Sequence, residues 1–597
     1  MAEGAYAAAV KETFEVKPLR TVLMIDDEFP TFADLADADE GKKVFAQTDR
    51  ALALYKGFKS RHMVCDVENQ IDDVEADRLR KSDLVVLDYN LGPIEGDNER
   101  SIGIIRRLAG SKHFNTVVVY TADPEQDKVW LEIVASLAGG WPADPQGLTE
   151  DAEKHWDRLS AAGALPEPPR EAELAYASRL ELRDLPQNVR RELQEELKAL
   201  DVPKDAWGMI IKSLLDKAMR RFAGGHANAD RRRVRAGLDE NGTRWIQSQN
   251  CFVAIMQKVD LTDDAADPAG IMAGLGRALL AWRPNLFQIL ISEIQNVLEL
   301  EALATEDQHL RDPETQAALW YYLLDALGKM DLASPEQAHA PLMAIVDRIV
   351  DGIRRKLSSD QDLLDLASSA LAEEIRELDW ENRGWPERGS QALFTGAQTL
   401  TRPERPIDKP NVMFRLNSFL STERFRRAHI TTGTVFSTED GTKFWVAASP
   451  ACDLVAREPS PLQPWSHALH PMTTLMAIEL EPFDNIESAL SDASKGRYVF
   501  LELPVGRRAF RVLADNGQPP YEILFAENEG RVSKDGDRTV FSASRLVPHG
   551  EPPARGLLRT TFVVVDQLRG VNATRMLQLA GQHLSRIGLD FLDMPAK

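Results

Sequence analysis

Three short apolar runs near the start of the chain each end in a polar side chain, and this feature most constrains the fold. The first run ends in Asp26 and Asp27, the second in Asp88 and the third in Thr121. Apolar runs without alternation are typical of parallel strands that helices cover on both faces. In such sheets, ligand-binding groups collect at the carboxyl ends of the strands. The four polar side chains are therefore predicted to share one crevice.

The segments between these runs have the spacing of amphipathic helices. Apolar residues recur on one stripe from Lys42 to Phe58 and again from Glu99 to Leu108, and a further strand is predicted from about Arg61 to Val67. The order of elements is thus strand, helix, strand, helix, strand, helix, strand. This order predicts right-handed crossovers and a doubly wound α/β sheet.

The pattern resembles the receiver domain of bacterial response regulators. In that family an acidic pair, a phosphoacceptor aspartate, a threonine or serine, and a lysine occupy the ends of strands one, three, four and five. The resemblance implies a flavodoxin-like, five-stranded parallel sheet. The residues from Val129 to about Thr243 are polar and helix-prone, and the next apolar run ends in Lys258. We interpret this run as a delayed fifth strand that follows a helical insertion.

The resemblance also implies the chemistry of the site. Asp88 would accept a phosphoryl group, and Asp26 or Asp27, together with Asp88 and the backbone carbonyl of Asn90, would bind Mg²⁺, which prefers hard oxygen ligands. Lys258 would pair with the phosphoryl oxygens, and Thr121 would hydrogen-bond one of them. The implied phosphodonor is a histidine kinase or another phosphohistidine protein. The chain is thus expected to be a phosphoacceptor, and not an enzyme with a substrate of its own.

Two departures from the family pattern stand near the lysine. Val259 follows Lys258 where receivers usually have proline, and Ile255 occupies a position that is often aromatic. The insertion also falls on the usual output face. Switching is therefore expected to act through the inserted helices.

Two alternatives stay open. A nucleophilic aspartate with a later threonine and lysine also resembles haloacid-dehalogenase phosphatases, in which Asp263 and Asp264 would form the acid pair after the lysine. However, Asn90 cannot serve as that family's general acid, and Asp26 and Asp27 would have no role. The second alternative is a scaffold whose receiver-like domain is never phosphorylated.

Length and charge restrict the rest of the protein. A chain of 597 residues is long enough for several domains, and a net charge of -22 argues against a protein that coats nucleic acid. The basic run from Arg231 to Arg235 is interpreted as a solvated helix face or as a dock for an acidic partner surface. No segment approaches the roughly 18 apolar residues of a membrane span, and no basic leader precedes an apolar core, so a cytoplasmic protein is expected.

The predicted domains are a receiver made of residues 18–128 and 246–300, a helical insertion at 129–245, a helical region at 301–390 and a C-terminal domain at 391–597. Helical stripes in the third segment, around Leu319 and around Ile345, are more typical of a packed core than of a partner groove. In receiver proteins the helix beside strand five commonly continues into a dimerisation element, so the resemblance implies a homodimer. The fourth segment has short β-branched and aromatic runs separated by turns, which predict a mainly antiparallel β domain, a small barrel closed by a helix from Ala573 to Ile587.

The C-terminal domain is expected to act as an output or interaction module for a protein effector. Cys452 and Asp453 follow a strand directly, and we interpret Cys452 as a buried cysteine beside a turn-capping aspartate. A catalytic site that includes these two residues and Arg586 is a further alternative, and a metal site with His467 or His470 is disfavoured by the spacing. Receivers fused to unfamiliar modules resemble components of phage-defence systems, which extends the expectation by analogy.

Overall fold

The chain forms two compact units in a computed structural model. The first unit comprises Met1–Leu300 and Gln361–Asp379, and the second comprises Glu301–Asp360 and Trp380–Lys597. The structure describes residues 2–36, 45–69, 79, 82–91, 98–111, 114–178, 180–258, 269–300, 313–327, 342, 350, 353–354, 357–401, 407–454, 468–514, 517–548 and 555–584.

A seven-stranded sheet is the centre of the first unit. Its spatial order is β2-β1-β3-β4-β7-β6-β5, and the first five of these are parallel. The strands are β1 Thr21–Ile25, β2 Val64–Glu68, β3 Leu84–Leu87, β4 Asn115–Thr121, β5 Val234–Leu238, β6 Arg244–Ser248 and β7 Cys251–Gln257. The delayed strand β7 pairs in parallel with β4 along its whole length, from Asn115 opposite Cys251 to Thr121 opposite Gln257.

Helices cover both faces of this sheet, which explains why its strands are apolar without alternation. Every residue of β3 and β4 is buried. Because side chains of a strand point alternately to opposite faces, neighbours in one strand belong to different cores. Val117 and Val119 pack in one apolar cluster, whereas Val118 and Tyr120 pack in the other.

The described helices of the first unit begin before the sheet and continue through the insertion. They are α1 Ala2–Lys11, α2 Phe32–Ala36, α3 Thr48–Ser60, α4 Glu99–Ala109, α5 Gln126–Ala138, α6 Glu150–Ala161, α7 Arg170–Ala177, α8 Gln187–Ala199, α9 Trp207–Ala223, α10 Ala269–Trp282 and α11 Leu286–Leu300. The predicted start of α3 at Lys42 lies outside the described residues. Pro284 separates α10 from α11, because proline cannot donate a helical hydrogen bond.

The insertion is not only helical, contrary to the prediction. Its last part is a hairpin in which β5 and β6 pair antiparallel, and β6 extends the sheet beyond β7. Glu240, Asn241 and Gly242 form its loop, which is closed by hydrogen bonds from the amide of Gly242 to the carbonyl of Asp239 and from the amide of Asp239 to the carbonyl of Thr243. Gly242 has a φ of +81°, which glycine adopts without steric cost. The basic run is also placed differently, because Arg231 to Arg233 precede β5 and Arg235 lies within it. The predicted helix face for this run is therefore wrong.

The middle of the chain is divided between the two units. Helix α13, Gln361–Arg376, contacts α1 and α11 of the first unit. The stripe around Leu319 lies in α12, Pro313–Leu327, while Ile345 lies outside the described residues. Further helices are α14 Trp380–Arg383, α15 Gln391–Thr401 and α16 Lys409–Ser421.

The second unit contains an antiparallel β domain, as predicted. Strands β10, β9, β17, β16, β14 and β11 pair in this order, and β11 pairs again with β10, which closes a six-stranded ring. The strands are β8 Thr422–Glu423, β9 Thr434–Thr438, β10 Phe444–Ala447, β11 Thr473–Phe483, β12 Tyr498–Leu503, β13 Gly506–Arg511, β14 Tyr521–Ala526, β15 Ser533–Asp535, β16 Arg538–Pro548 and β17 Arg555–Leu568.

Two helices complete the described part of this domain, α17 Ile486–Ser491 and α18 Gly570–Leu584. Helix α18 adds Ala573, Met576 and Ala580 to the apolar cluster around Val435 and Val446. The predicted closing helix is therefore present. In neither unit is any described helix long and apolar enough to cross a membrane.

Candidate functional site

The polar ends of β1, β3 and β7 meet at one edge of the first unit's sheet. Backbone hydrogen bonds continue the parallel ladders one residue beyond the strands: the amide of Asp88 donates to the carbonyl of Ile25 (2.9 Å), and the amide of Lys258 donates to the carbonyl of Thr121 (2.7 Å). The amide of Asp26 donates to Glu68 in the same way (3.2 Å). The strand ends are thus held in fixed register, and their side chains share one crevice.

The Lys258 ammonium lies between two carboxylates. Its Nζ is 2.9 Å from Oδ2 of Asp26 and 3.1 Å from Oδ2 of Asp88. Only 4% of the Lys258 side chain is exposed, as is 4% of Asp26 and 10% of Asp88. A charge this deeply buried requires an opposite charge and hydrogen bonds, and this arrangement supplies both.

The other oxygens of the two carboxylates accept hydrogen bonds from the backbone. Oδ1 of Asp26 accepts from the amide of Glu28 (2.9 Å), and Oδ1 of Asp88 accepts from the amide of Tyr89 (2.8 Å). The Lys258 ammonium also lies 5.9 Å from the centre of the buried Phe29 ring, within the range of a cation–π contact. Each carboxylate is therefore oriented with one oxygen toward the lysine.

Burial and charge act in opposite directions on the pKa values of these groups. Burial raises the pKa of Asp88 to about 7, although the nearby Lys258 opposes this rise, and the negative charge of Asp26 adds to it. Burial likewise raises the pKa of Asp26. Burial alone would lower the pKa of Lys258, but the two carboxylates outweigh it and raise that pKa. The lysine therefore remains an ammonium, and its charge limits the rise in the pKa values of both acids.

Three carboxylates at this edge suit a divalent cation. Carboxylate oxygens of Asp26, Asp27 and Asp88 lie within 4.8 Å of one another. Among the described residues, these three form the cluster of side chains that could hold a metal ion. Hard carboxylate oxygens are the ligands that Mg²⁺ prefers. The donor set therefore fits the predicted ion.

The remaining predicted residues lie at the same edge in different environments. Thr121 ends β4 and is fully buried, and its Oγ1 accepts a hydrogen bond from the amide of Asp123 (3.1 Å). Asn90 is half-buried, two residues after Asp88. Val259, Asp263 and Asp264 lie outside the described residues.

Sequence reasoning missed a hydrogen-bond network that begins directly after Asp88. The buried Tyr89 donates its hydroxyl hydrogen to Oε2 of Glu132 (2.5 Å), and Nδ2 of Asn98 donates to the same carboxylate oxygen (2.8 Å). Ser101 Oγ donates to the backbone carbonyl of Tyr89 (2.6 Å). Burial, followed by the charge of Glu132, raises the pKa of Tyr89. The network joins the end of β3 to α4 and α5.

One sequence signal could have revealed this network. Glu132 stands among Trp130, Leu131, Ile133 and Val134, which are all buried. An acidic residue within such a run needs a hydrogen-bonding partner, and a tyrosine next to the predicted phosphoacceptor is a suitable one.

In the second unit, the described residues of the alternative site form fewer contacts with one another than those of the acidic site do. Cys452 is exposed, so its predicted burial is wrong, and its Sγ lies 3.4 Å from Oδ1 of Asp453. His470 lies 4.0 Å from Glu529, which places it beside an acid and not beside a described metal cluster. Arg586 and His467 lie outside the described residues.

Comparison with protein families supports a receiver domain in the first unit. Residues 18–158 match the family model described as the response receiver domain. The match includes Asp26, Asp27, Asp88 and Thr121 and ends well before β7 and Lys258. Comparison with curated proteins and with solved structures gave no match.

Proposed function

Because the chain contains a response receiver domain at residues 18–158, we propose that it is a signalling protein that accepts a phosphoryl group on Asp88. The observation that carries this proposal is the contact of the Lys258 ammonium with the carboxylates of both Asp26 and Asp88. Lys258 comes from outside the family match, more than 100 residues beyond Thr121, and still reaches the predicted acceptor.

In the proposed step, an oxygen of Asp88 attacks the phosphorus of a phosphohistidine on a kinase or of a small acyl phosphate. A P–O bond forms, the bond from phosphorus to the donor breaks, and the donor leaves with the bonding electron pair. Bound Mg²⁺ would offset the negative charge that the acceptor, the acid pair and the phosphoryl oxygens bring together. The proposed role is that of a phosphoacceptor, whose own catalysis would be at most its phosphorylation from a donor and its dephosphorylation.

The protein's own residues have distinct roles in this proposal. Asp26 and Asp27, with Asp88 and the carbonyl of Asn90, would hold the cation. Lys258 would transfer its contact from the carboxylate of Asp88 to a phosphoryl oxygen, because a dianion attracts the ammonium more strongly than a monoanion does.

Thr121 would serve after phosphorylation. Its hydroxyl now accepts a hydrogen bond from the amide of Asp123, which leaves the hydroxyl hydrogen for a phosphoryl oxygen. The loop between β4 and α5 would respond to that contact, and α5 packs against α9 of the insertion. Signal output through the insertion is thus part of the proposal.

The experiment is intact-mass analysis after incubation with Mg²⁺ and acetyl phosphate. The full chain should gain one hydroxylamine-labile phosphoryl group, and Asp88→Asn should gain none, because an amide oxygen is a poor nucleophile for this transfer. Asp123→Asn is the matched control, since Asp123 lies at the same sheet edge outside the acid cluster, and it should keep the adduct. Thermal unfolding of each variant confirms that it is folded.

Retention of the adduct in Asp88→Asn would overturn the choice of acceptor. A folded wild-type chain that never gains phosphate, from acetyl phosphate or from a phosphohistidine donor, would instead support the phosphorylation-independent scaffold. The homodimer, the protein effector of the second unit and the role in phage defence stay predictions. Light scattering with and without phosphodonor tests the first, and phage challenge of cells that carry Asp88→Asn tests the last.

A further inference from the structure

A basic cavity lies at the opposite edge of the first unit's sheet from Asp88. It has a volume of about 570 Å³ and is lined by the last turns of α4 and by residues of the insertion. Helix α4 starts near the carboxyl end of β3 and ends before β4 begins, so its last turn is at the amino ends of the strands. The cavity is therefore separate from the proposed phosphoacceptor site.

Four basic side chains line the cavity, and among its described lining residues none is acidic. They are Arg106 and Arg107 from α4, and His226 and Arg232 from the insertion. Asp230 and Glu99 act electrostatically on Arg106 and His226, but neither lines the cavity. The three arginines make the lining positively charged, although the chain as a whole has a net charge of -22.

The guanidinium groups keep hydrogen-bonding capacity. Arg106 donates to the backbone carbonyl of Ser136, and Arg232 donates to the carbonyl of Arg106 (2.8 Å). A guanidinium has five N–H donors, so these two bonds orient the groups and leave donors for a ligand. Arg107 is exposed, and no described acidic residue forms a salt bridge with any of the three arginines.

The insertion side of the cavity has an unsatisfied nitrogen. Nε2 of His226 is buried and has no hydrogen-bond partner in the described part of the chain. Burial and the neighbouring Arg106 lower the pKa of His226, and burial and Arg232 lower the pKa of Arg106. The lowered pKa keeps the His226 ring neutral at neutral pH, so the repelling charges are those of Arg106 and Arg232. An anion between these two guanidinium groups would offset their repulsion.

We propose that this cavity binds a small molecule that carries phosphate groups, of the size of a nucleotide. A guanidinium can bind phosphate through two parallel hydrogen bonds, and ligand cavities in proteins range from about 300 to 1,000 Å³. A long polyanion is disfavoured, because the strongly acidic remainder of the chain would repel its flanking phosphates. The cavity joins α4 to the insertion, so an occupant would hold the two together.

Two positions allow sharp tests of the cavity. Gly103 lines it, and a Cβ built there would meet nothing within 4 Å. Gly103→Leu should therefore project an isobutyl group into the cavity and narrow it, and Gly103→Ala is its matched control because a single methyl group takes up much less of the space. Arg107→Gln removes one exposed charge, and Arg191→Gln in α8 is the control for a remote exposed arginine.

The experiment is calorimetric titration of the full chain in EDTA, with pyrophosphate, ATP, adenosine and a short single-stranded oligonucleotide as probes. EDTA prevents phosphate from binding through a cation at the acid cluster. Pyrophosphate and ATP should bind and adenosine should not. Equal affinity for the first two identifies the phosphate groups alone as the ligand, and tighter ATP binding identifies a nucleotide.

Arg107→Gln should weaken ATP binding about tenfold, since a charged hydrogen bond is lost. Gly103→Leu should weaken binding by narrowing the cavity, while Gly103→Ala and Arg191→Gln should bind as the native chain does. Asp88→Asn should also bind normally, so failure of this inference and failure of the proposed phosphoacceptor are distinguishable.

Three results would overturn the proposal. They are no heat from either phosphate probe, unchanged binding in a folded Gly103→Leu variant, and equal losses in Arg107→Gln and Arg191→Gln. Tighter binding of the oligonucleotide than of ATP would replace the small molecule with a nucleic acid.

Discussion

The first unit buries charged side chains at one edge of a parallel sheet, whereas the second unit has an apolar core and leaves its described ion pairs near the surface. In the first unit, Lys258, Asp26 and Asp88 are each at most 10% exposed. In the second, every ion pair described keeps at least 20% of each side chain exposed, and the core stacks the aromatic rings of Phe436, Trp445, Phe541 and Phe562.

This difference indicates which substitutions each unit tolerates. An apolar core loses stability in proportion to the volume removed, but it tolerates changes of chemistry among apolar groups. A buried charged triad depends on all of its members, because removing one leaves the others uncompensated. The following predictions test that contrast.

Lys258→Met should have the largest effect. The change keeps the side-chain volume but leaves Asp26 and Asp88 without their counter-charge, which should destabilise the first unit by about 3–5 kcal/mol. Hydrogen exchange of β4 and β7 in EDTA measures this loss, since a bound cation cannot then replace the ammonium. The variant should also lose the phosphoryl adduct.

A combined variant with Asp26→Asn, Asp88→Asn and Lys258→Met is the control for charge. It removes all three charges together, so most of the lost stability should return. If Lys258→Met has the same free energy of unfolding as the native chain, the stability of the first unit does not depend on the buried triad.

Phe562→Ala should destabilise the second unit by about 3 kcal/mol, because it leaves a cavity among three aromatic neighbours. Faster hydrogen exchange in β9 and β16 would report this loss. The adduct on Asp88 should be unaffected, because Phe562 and Asp88 belong to different units. Loss of the adduct in a variant whose β4 remains protected would show that the two units are coupled.

Tyr89→Phe should have a smaller effect in the first unit, about 1 kcal/mol. The ring stays buried, but Glu132 loses its bond from the tyrosine hydroxyl and keeps only the bond from Asn98 among those described. Denaturant unfolding measures the loss, with Tyr55→Phe as a control at a half-buried tyrosine on α3. Equal losses in both variants would show that the network adds no specific stability.

The exposed pair Arg415 and Glu502 should contribute least. Nη1 of Arg415 lies 3.2 Å from both carboxylate oxygens of Glu502, yet 63% and 43% of the two side chains are exposed. A double-mutant cycle with alanine should give a coupling free energy of about 0.2–1 kcal/mol, which decreases with added salt. A coupling above that of the buried triad would reverse the comparison.

Much of the first unit's sheet could be predicted from local sequence. Apolar runs that end in polar side chains predicted β1, β3 and β4, and the apolar residues before Lys258 predicted β7 despite the long insertion. The hairpin of β5 and β6 was missed, although a short loop that contains glycine between two strand-like segments is a hairpin signal. Its strands are short and partly polar, so their sequences alone are weak strand signals. In the structure, β6 pairs with the open edge of β7, and this pairing stabilises the hairpin.

The sequence by itself determined which polar groups stand at the ends of buried strands, because strand periodicity and burial are properties of a few consecutive residues. Only the tertiary structure decided that Lys258 lies against both Asp26 and Asp88, that Tyr89 bonds to Glu132, and that Arg106 and Arg232 face one cavity. These contacts join residues up to 232 positions apart. Sequence spacing carries no distance information over such lengths, so the packing of helices and strands alone brings these groups together.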